Sequence, residues 1–200
     1  MTGPIQHDEE SRTMALFREN ADVSVRPAVR GDEHAIARLQ VDAWRVSHAD
    51  ILAGALDLLD ETAIEGQWAA AVATPPGAGF RVLVACEGPT VVGVVSLAPV
   101  PPPEDRPFDA PGGVILTLEV EPSRQRSGHG SRLLAAAVDT LREDRADQVH
   151  TWVLDGDSAR AQFLASCGLG PDDVARELAS GTLPDGTPRV VSEHRWSASI

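Results

Sequence analysis

The residues whose types and spacing could do chemistry are concentrated between Glu119 and Leu134, where the chain reads EVEPSRQRSGHGSRLL. Gly128 and Gly130 are separated only by His129, Ser127 and Ser131 stand outside them, and Arg124 and Arg126 come just before. A strand-like apolar run enters this stretch, Pro122 stops it, and a leucine-rich helical pattern leaves it. These types suit an anion. A helix start presents backbone N–H groups without partners and about half a positive charge. Glycine omits the Cβ atoms that would hold a phosphate away from those groups, and arginine adds charge. The stretch is therefore expected to seat a phosphate on the main chain. A nucleotide-hydrolase loop would need Gly-Lys-Ser/Thr, which is missing, and a dinucleotide fold would need glycine at Leu133. A glycine-rich strand-to-helix turn with no ligand stands as the plain alternative.

The elements that must position this loop follow from periodicity. DVSVRPA alternates as a strand. Ile36, Leu39, Ala43 and Trp44 mark one helix face, and Ile64, Trp68, Ala71 and Val72 mark a second. FRVLVACEGPTVVGVVSLAPV reads as a hairpin around a Gly-Pro turn, and VILTLEVE as the strand entering the loop. PPPEDRPFDAPGG cannot be central strand. Leu133, Leu134, Ala137, Val138 and Leu141 form the helix beyond, followed by strand VHTWVL and the short helix DGDSARAQFLASCGLG. Two late strands, VARELA and RVVSEHRW, flank the turn LPDGTP. The order β-α-α-β-β-β-α-β-α-β-β is an α/β arrangement in one layered domain, with the strands before and after the leucine-rich helix parallel.

The 200 residues are 42% hydrophobic and 24% charged, the proportions of a globular domain with a substantial core. Residues 1–21 are polar and aperiodic and read as a flexible N-terminal leader without the features of a secretory signal. No apolar run is long enough to span a bilayer, so a cytoplasmic protein with no membrane partner is expected. A net charge of −13 and a pI near 4.7 argue against nucleic acid. Cys86 and Cys167 are expected as free thiols, and neither they nor the histidines show metal-ligand spacing, so no metal is expected.

VEPSRQRSGHGSRLL resembles the coenzyme A loop of the GNAT N-acetyltransferase superfamily, in which Gln/Arg-x-x-Gly-x-Gly/Ala follows a V-x-P strand end. Those positions here are Gln125, Gly128 and Gly130, preceded by Val120 and Pro122. VRPAVRGDEHAIARLQVDAWR is similar to the family's opening strand and helix, and DSARAQFLASCGL to its late Asn-x-x-Ala-x-x-Phe-Tyr-x-x-x-Gly-Phe helix. The resemblance implies one acetyltransferase domain over 22–200: a twisted mixed sheet flanked by helices, whose parallel central strands splay apart around Leu118 and Val153. It implies acetyl-CoA as co-substrate. Pantetheine would lie in the gap against the main chain of Leu118, Glu119 and Val120. The pyrophosphate would rest on the N–H groups of Arg126, Ser127, Gly128, His129, Gly130 and Ser131. Asp157 matches the family's asparagine and is either a pantetheine contact or a helix cap. Ser127 departs from the family's basic residue and His129 from an aliphatic one, so His129 is expected to turn away and pack on the helix.

Acetyl transfer to an amine needs a route for the amine's proton and often an acid for the leaving thiolate. The family's tyrosine has no counterpart: Leu164 follows Phe163, and the chain contains no tyrosine. Glu119 leads as base because alternation places it with Thr117 and Glu121 on one strand face; the plain alternative is a solvated carboxylate. His150 is the second candidate, sharing a face with Trp152. Trp44 and Trp68 are expected in the core and His48 at an exposed helix end. The expected acceptor is a small-molecule amine, with a protein N-terminus or lysine as second choice. The rival class is a non-catalytic CoA-binding sensor or interaction module. Homodimers occur in the family, but no surface in the sequence marks the contact.

Overall fold

The computed structural model describes residues 23–102, 104–105, 110–182 and 186–200. The expected leader lies outside these residues, as do parts of the proline-rich loop and of the last turn. Seven strands form one mixed sheet in the order β1-β2-β3-β4-β5-β7-β6. They are β1 (Val23–Pro27), β2 (Arg81–Glu87), β3 (Thr90–Val100), β4 (Gly112–Val120), β5 (Gln148–Leu154), β6 (Gly170–Thr182) and β7 (Pro188–Ser199). The helices are α1 (Glu33–Ser47), the short α2 (Ala49–Leu52), α3 (Glu61–Ala73), α4 (His129–Glu143) and α5 (Ser158–Ser166). None of the helices among the described residues is long and apolar enough to cross a membrane.

The apolar runs of β2 and β3 have a simple cause: both faces of these strands are covered. Leu83, Ala85, Val92 and Val95 join Leu133, Leu134, Ala137 and Leu141 of α4 in one cluster. The alternate residues Val84, Cys86 and Val94 pack with Ile36 and Leu39 of α1 and Trp68 of α3 in another. Burying each such leucine contributes about 1.5–3 kcal/mol. Trp68 is a core residue, as expected, with its indole N–H donated to Gln40 Oε1 at 2.8 Å. Both cysteines are free.

Two departures from the expected elements matter for the site. Between α1 and α3 the chain makes α2 and a 3-10 turn, Ala53–Leu58, from a sequence, ADILAGALDL, with no amphipathic stripe to announce it. The late strands also run longer than VARELA and RVVSEHRW. Pro171 and Gly181 suggest turns, yet register shifts between Pro171 and Ala175 and between Ala179 and Gly181 absorb them within edge strand β6.

The central feature is a fork. β4 and β5 pair in parallel only from Gly112 opposite Gln148 to Ile115 opposite Thr151. Thr151 Oγ1 donates to the Ile115 carbonyl at 3.0 Å beside this last rung. Beyond it the strands follow different neighbours: β5 stays paired with β7 through Leu154, and β4 stays paired with β3 through Val120. On β4, Thr117 pairs with Ser96 and Ile115 with Leu97, which leaves Leu116 as an extra, bulged residue. A bulge bends and twists its strand, and here it stands where the parallel pairing stops.

Candidate active site

At the open end of β4, a 3-10 turn over Pro122–Arg124 leads into the loop that starts α4. Gly128 is the N-cap residue with φ 83°, a left-handed conformation that favours glycine. Arg126 also adopts positive φ, at 60°. Among the described residues, no backbone N–H from Gln125 to Ser131 has a hydrogen-bond partner. Gln125, Arg126, Ser127, Gly128 and Ser131 are exposed. The loop is thus an open row of donors at a helix N-terminus, the arrangement that binds anions.

Side chains brace this row from behind. His129 is 1% exposed, and its Nε2 lies 2.8 Å from Glu87 Oε1. Its available donor to an anion is therefore its backbone N–H, in line with the expectation that the ring turns away. Glu87 also holds Arg124 at 3.0 Å, and Arg132, which the sequence did not single out, donates to the Ser127 carbonyl at 3.1 Å. The Gln125 amide donates to the Val120 carbonyl at 3.3 Å. Gly130 also makes room for α5, because a Cβ there would lie 3.3 Å from the ring of Phe163.

In the fork, Leu118 and Glu119 are buried and Val120 is half-buried. The Leu118 carbonyl accepts from Arg160 Nη2 at 2.8 Å. The same nitrogen donates to Glu119 Oε1 at 2.6 Å, and the Trp44 indole donates to that oxygen at 3.3 Å. Asp157 caps α5, accepting from the Arg160 backbone N–H at 3.0 Å, while its other oxygen lies 3.0 Å from His48 Nε2. Burial opposes ionisation of Asp157, but His48, the Arg160 N–H and the guanidinium together outweigh it and hold its carboxyl below the usual range.

His48 is where expectation and structure part. It is 6% exposed at the junction of α1 and α2, with its Nε2 against Asp157. The only buried side-chain polar atom lacking a partner among the described residues is His129 Nδ1, so His48 Nδ1 is not sealed in. Trp44, expected in the core, also faces the cavity described next. His150 lies elsewhere: it is half-buried on β5, opposite Val114 and Ser197, and does not line that cavity. Burial and then Arg195 push its imidazole below its ordinary pKa. Leu164, in the position of the family's tyrosine, is 1% exposed in the main core.

Beyond the fork opens a cavity of about 370 Å³, within the size range of small-molecule sites. Trp44, His48, Leu116, Thr117, Glu119 and Asp157 are among its lining residues. The bulge therefore adds Leu116 to the face that alternation gave to Thr117 and Glu119. Arg189 of β7 donates to the carbonyls of Ile51 and Leu52, both at 2.9 Å, tying the last hairpin to α2 beside the cavity. The site thus joins an anion loop, a strand edge with no neighbouring strand and a cavity containing a buried His–Asp pair. Such a layout can hold a phosphate-bearing donor on one side of the sheet and a second reactant on the other.

Comparison with known proteins agrees with this layout. The sequence profile of the acetyltransferase (GNAT) family matches residues 35–169. No curated protein is similar enough in sequence to count as a relative. Among solved structures, a ribosomal-protein-alanine N-acetyltransferase from Brucella melitensis is 21% identical with a TM-score of 0.63, over 88% of this chain and 99% of that one. PaiA N-acetyltransferase from Thermoplasma acidophilum, in complex with coenzyme A, is 14% identical with a TM-score of 0.59, over 89% and 99%. YncA from Salmonella typhimurium, with its cofactor acetyl-CoA, is 18% identical with a TM-score of 0.58, over 89% and 94%.

Proposed function

This chain belongs to the acetyltransferase (GNAT) family, and from that premise we propose that it moves an acetyl group from acetyl-CoA to the primary amine of a small molecule. The observation that carries this reading is the fork: a free β4 edge running from the unpartnered N–H row to the cavity that holds His48 and Asp157. The pyrophosphate accepts hydrogen bonds from the N–H groups of Arg126 to Ser131, with the Arg126 side chain adding charge. Pantetheine runs along Leu118, Glu119 and Val120 past Asp157, so Arg160 must share or release the Leu118 carbonyl. The thioester carbonyl then stands beside Glu119, at the mouth of the cavity.

Each polar residue has a task in this reading. Glu119 uses one carboxylate oxygen for Trp44 and Arg160, leaving Oε2 to receive the incoming ammonium. His48, oriented by Asp157 through Nε2, takes the ammonium proton on Nδ1, since imidazole is the side chain best suited to proton pick-up near neutral pH. The neutral amine attacks the carbonyl carbon, the C–N bond forms, and the C–S bond breaks. The departing thiolate takes a proton and the acylated nitrogen gives its second proton to water, leaving the acetamide and free CoA thiol. Buried Leu164 offers no acid, so the thiolate's proton comes from the His48 imidazolium or water. His150, which does not line the cavity, has no task here. The Arg189 bridge supports a small acceptor, because an extended peptide would have to pass the tie between β7 and α2.

The test is amine-dependent release of CoA thiol by the full-length protein. His48→Gln is expected to lower kcat by about 10²–10⁴-fold while leaving the KM for acetyl-CoA in place. If acetyl-CoA stabilises the protein against heat but no amine releases thiol, the non-catalytic module is the better reading.

A further inference from the structure

The cavity beyond the fork carries a narrower conclusion, which rests on the transfer reaction above. Much of its wall is hydrocarbon: Leu52, Leu56 and Leu59 come from the segment between α1 and α3, Leu116 from the bulge, and Leu178 and Val191 from the last two strands. Its ionisable side chains are already matched. Glu119 pairs with Arg160 at 2.6 Å, Asp157 with His48 at 3.0 Å, and Glu193 with Arg176 at 2.7 Å. Arg176 is also held over the Trp152 ring, 4.0 Å from its centroid. Three lining carboxylates thus stand against two guanidinium groups, Arg160 in the lining and Arg176 just outside it, so the guanidinium groups leave a single negative charge beside His48. One ammonium group neutralises it. A second cation finds no spare carboxylate among the lining residues, and a substrate carboxylate finds no spare guanidinium. Burying either without a partner is costly.

We infer that the acceptor is a primary monoamine with a compact aryl or alkyl body, in preference to a polyamine, an amino acid or a peptide. Size agrees with charge. An apolar cavity of about 150 Å³ holds benzene, so a cavity of about 370 Å³ has room for one or two rings or a short chain. Trp44 and Trp152 supply aromatic surface for that body. Specificity follows from what the wall offers: a charge at the far end of the substrate would meet leucine side chains and no opposite charge.

The experiment is an acceptor comparison on the full-length protein with acetyl-CoA, read as free thiol, using 2-phenylethylamine, hexylamine, spermidine and a short peptide beginning with alanine. The expected kcat/KM for 2-phenylethylamine or hexylamine is roughly tenfold or more above that for spermidine and the peptide. Leu178→Glu places an unmatched carboxylate on the wall at a position 38% exposed, where the fold tolerates a charge. It is expected to cut turnover of 2-phenylethylamine by roughly tenfold and to narrow the gap with spermidine, with acetyl-CoA binding unchanged. Preference for spermidine or the peptide, or no preference at all, overturns the inference and leaves the transferase reading standing. No thiol from any of these amines, in a protein that acetyl-CoA still protects against heat, overturns both.

Discussion

At the start of α4 no backbone N–H from Gln125 to Ser131 has a hydrogen-bond partner, whereas in the cavity each ionisable side chain already has one. The two ends of one site are built by opposite means. The loop depends on the path of the main chain, so it is sensitive to what blocks that path and indifferent to most side-chain identities. The cavity depends on side chains drawn from α1, α2, the 3-10 turn after it, β4, β5, α5, β6 and β7, so the loss of one partner strands another. Donor recognition and acceptor recognition should therefore respond differently to substitution.

The largest effect that could break this contrast is at Gly128. Gly128→Glu puts a side chain in a left-handed position and an anion beside a diphosphate. Losing two charge-assisted hydrogen bonds at about 1.5–3 kcal/mol each weakens acetyl-CoA binding by about 10³-fold, as measured by calorimetric titration. Ser127→Ala, which leaves the main chain intact, should stay near the wild-type affinity. An equal loss in both variants would mean that side chains hold the phosphates.

Next comes Asp157→Asn. The amide oxygen can still accept from the Arg160 N–H and cap α5, but the charge facing His48 and Arg160 is gone. A hydrogen bond to a charged group is worth about 1.5–3 kcal/mol, so denaturant unfolding should show a loss of about that size. Because Asp157 positions His48, the acidic limb of the pH–kcat profile should also move, which a purely structural role would not produce.

The smallest effect concerns acid stability. His150 has its pKa lowered by burial and Arg195, so the unfolded chain binds a proton there more readily. Its contribution is complete above the ordinary imidazole value, about 6.5, and is lost as pH falls toward the depressed folded value. Asp157 is also lowered, and its contribution holds above the ordinary carboxylate range and fades as pH falls through its folded value. Thermal unfolding should thus weaken in two stages on acidification, and His150→Gln should remove the first without touching acetyl-CoA binding.

The same contrast explains what could be read from the sequence. The loop is contiguous, so Gly128, Arg126 and the helix start announce themselves in order. The strand and helix order was likewise legible, β2 and β3 from unbroken apolar runs because both their faces are covered, and α4 from its one apolar stripe. The cavity was not. Its contacts join residues 109 apart at His48 and Asp157, 75 apart at Trp44 and Glu119, and 137 apart at Arg189 and Leu52. No local pattern encodes such pairs. Strict alternation also could not foresee that a bulge would add Leu116 to the face of Thr117 and Glu119. Nothing in the sequence set Arg160 apart; only the fold brings its guanidinium to Leu118 and Glu119.

One measurement tests the central claim most directly: a crystal structure of the protein grown with acetyl-CoA. The account predicts diphosphate oxygens within about 3 Å of backbone nitrogens between Arg126 and Ser131. It places the thioester carbon in the fork between Glu119 and His48. Coenzyme bound elsewhere, or β4 and β5 paired beyond Ile115 and Thr151 with the gap closed, would contradict it.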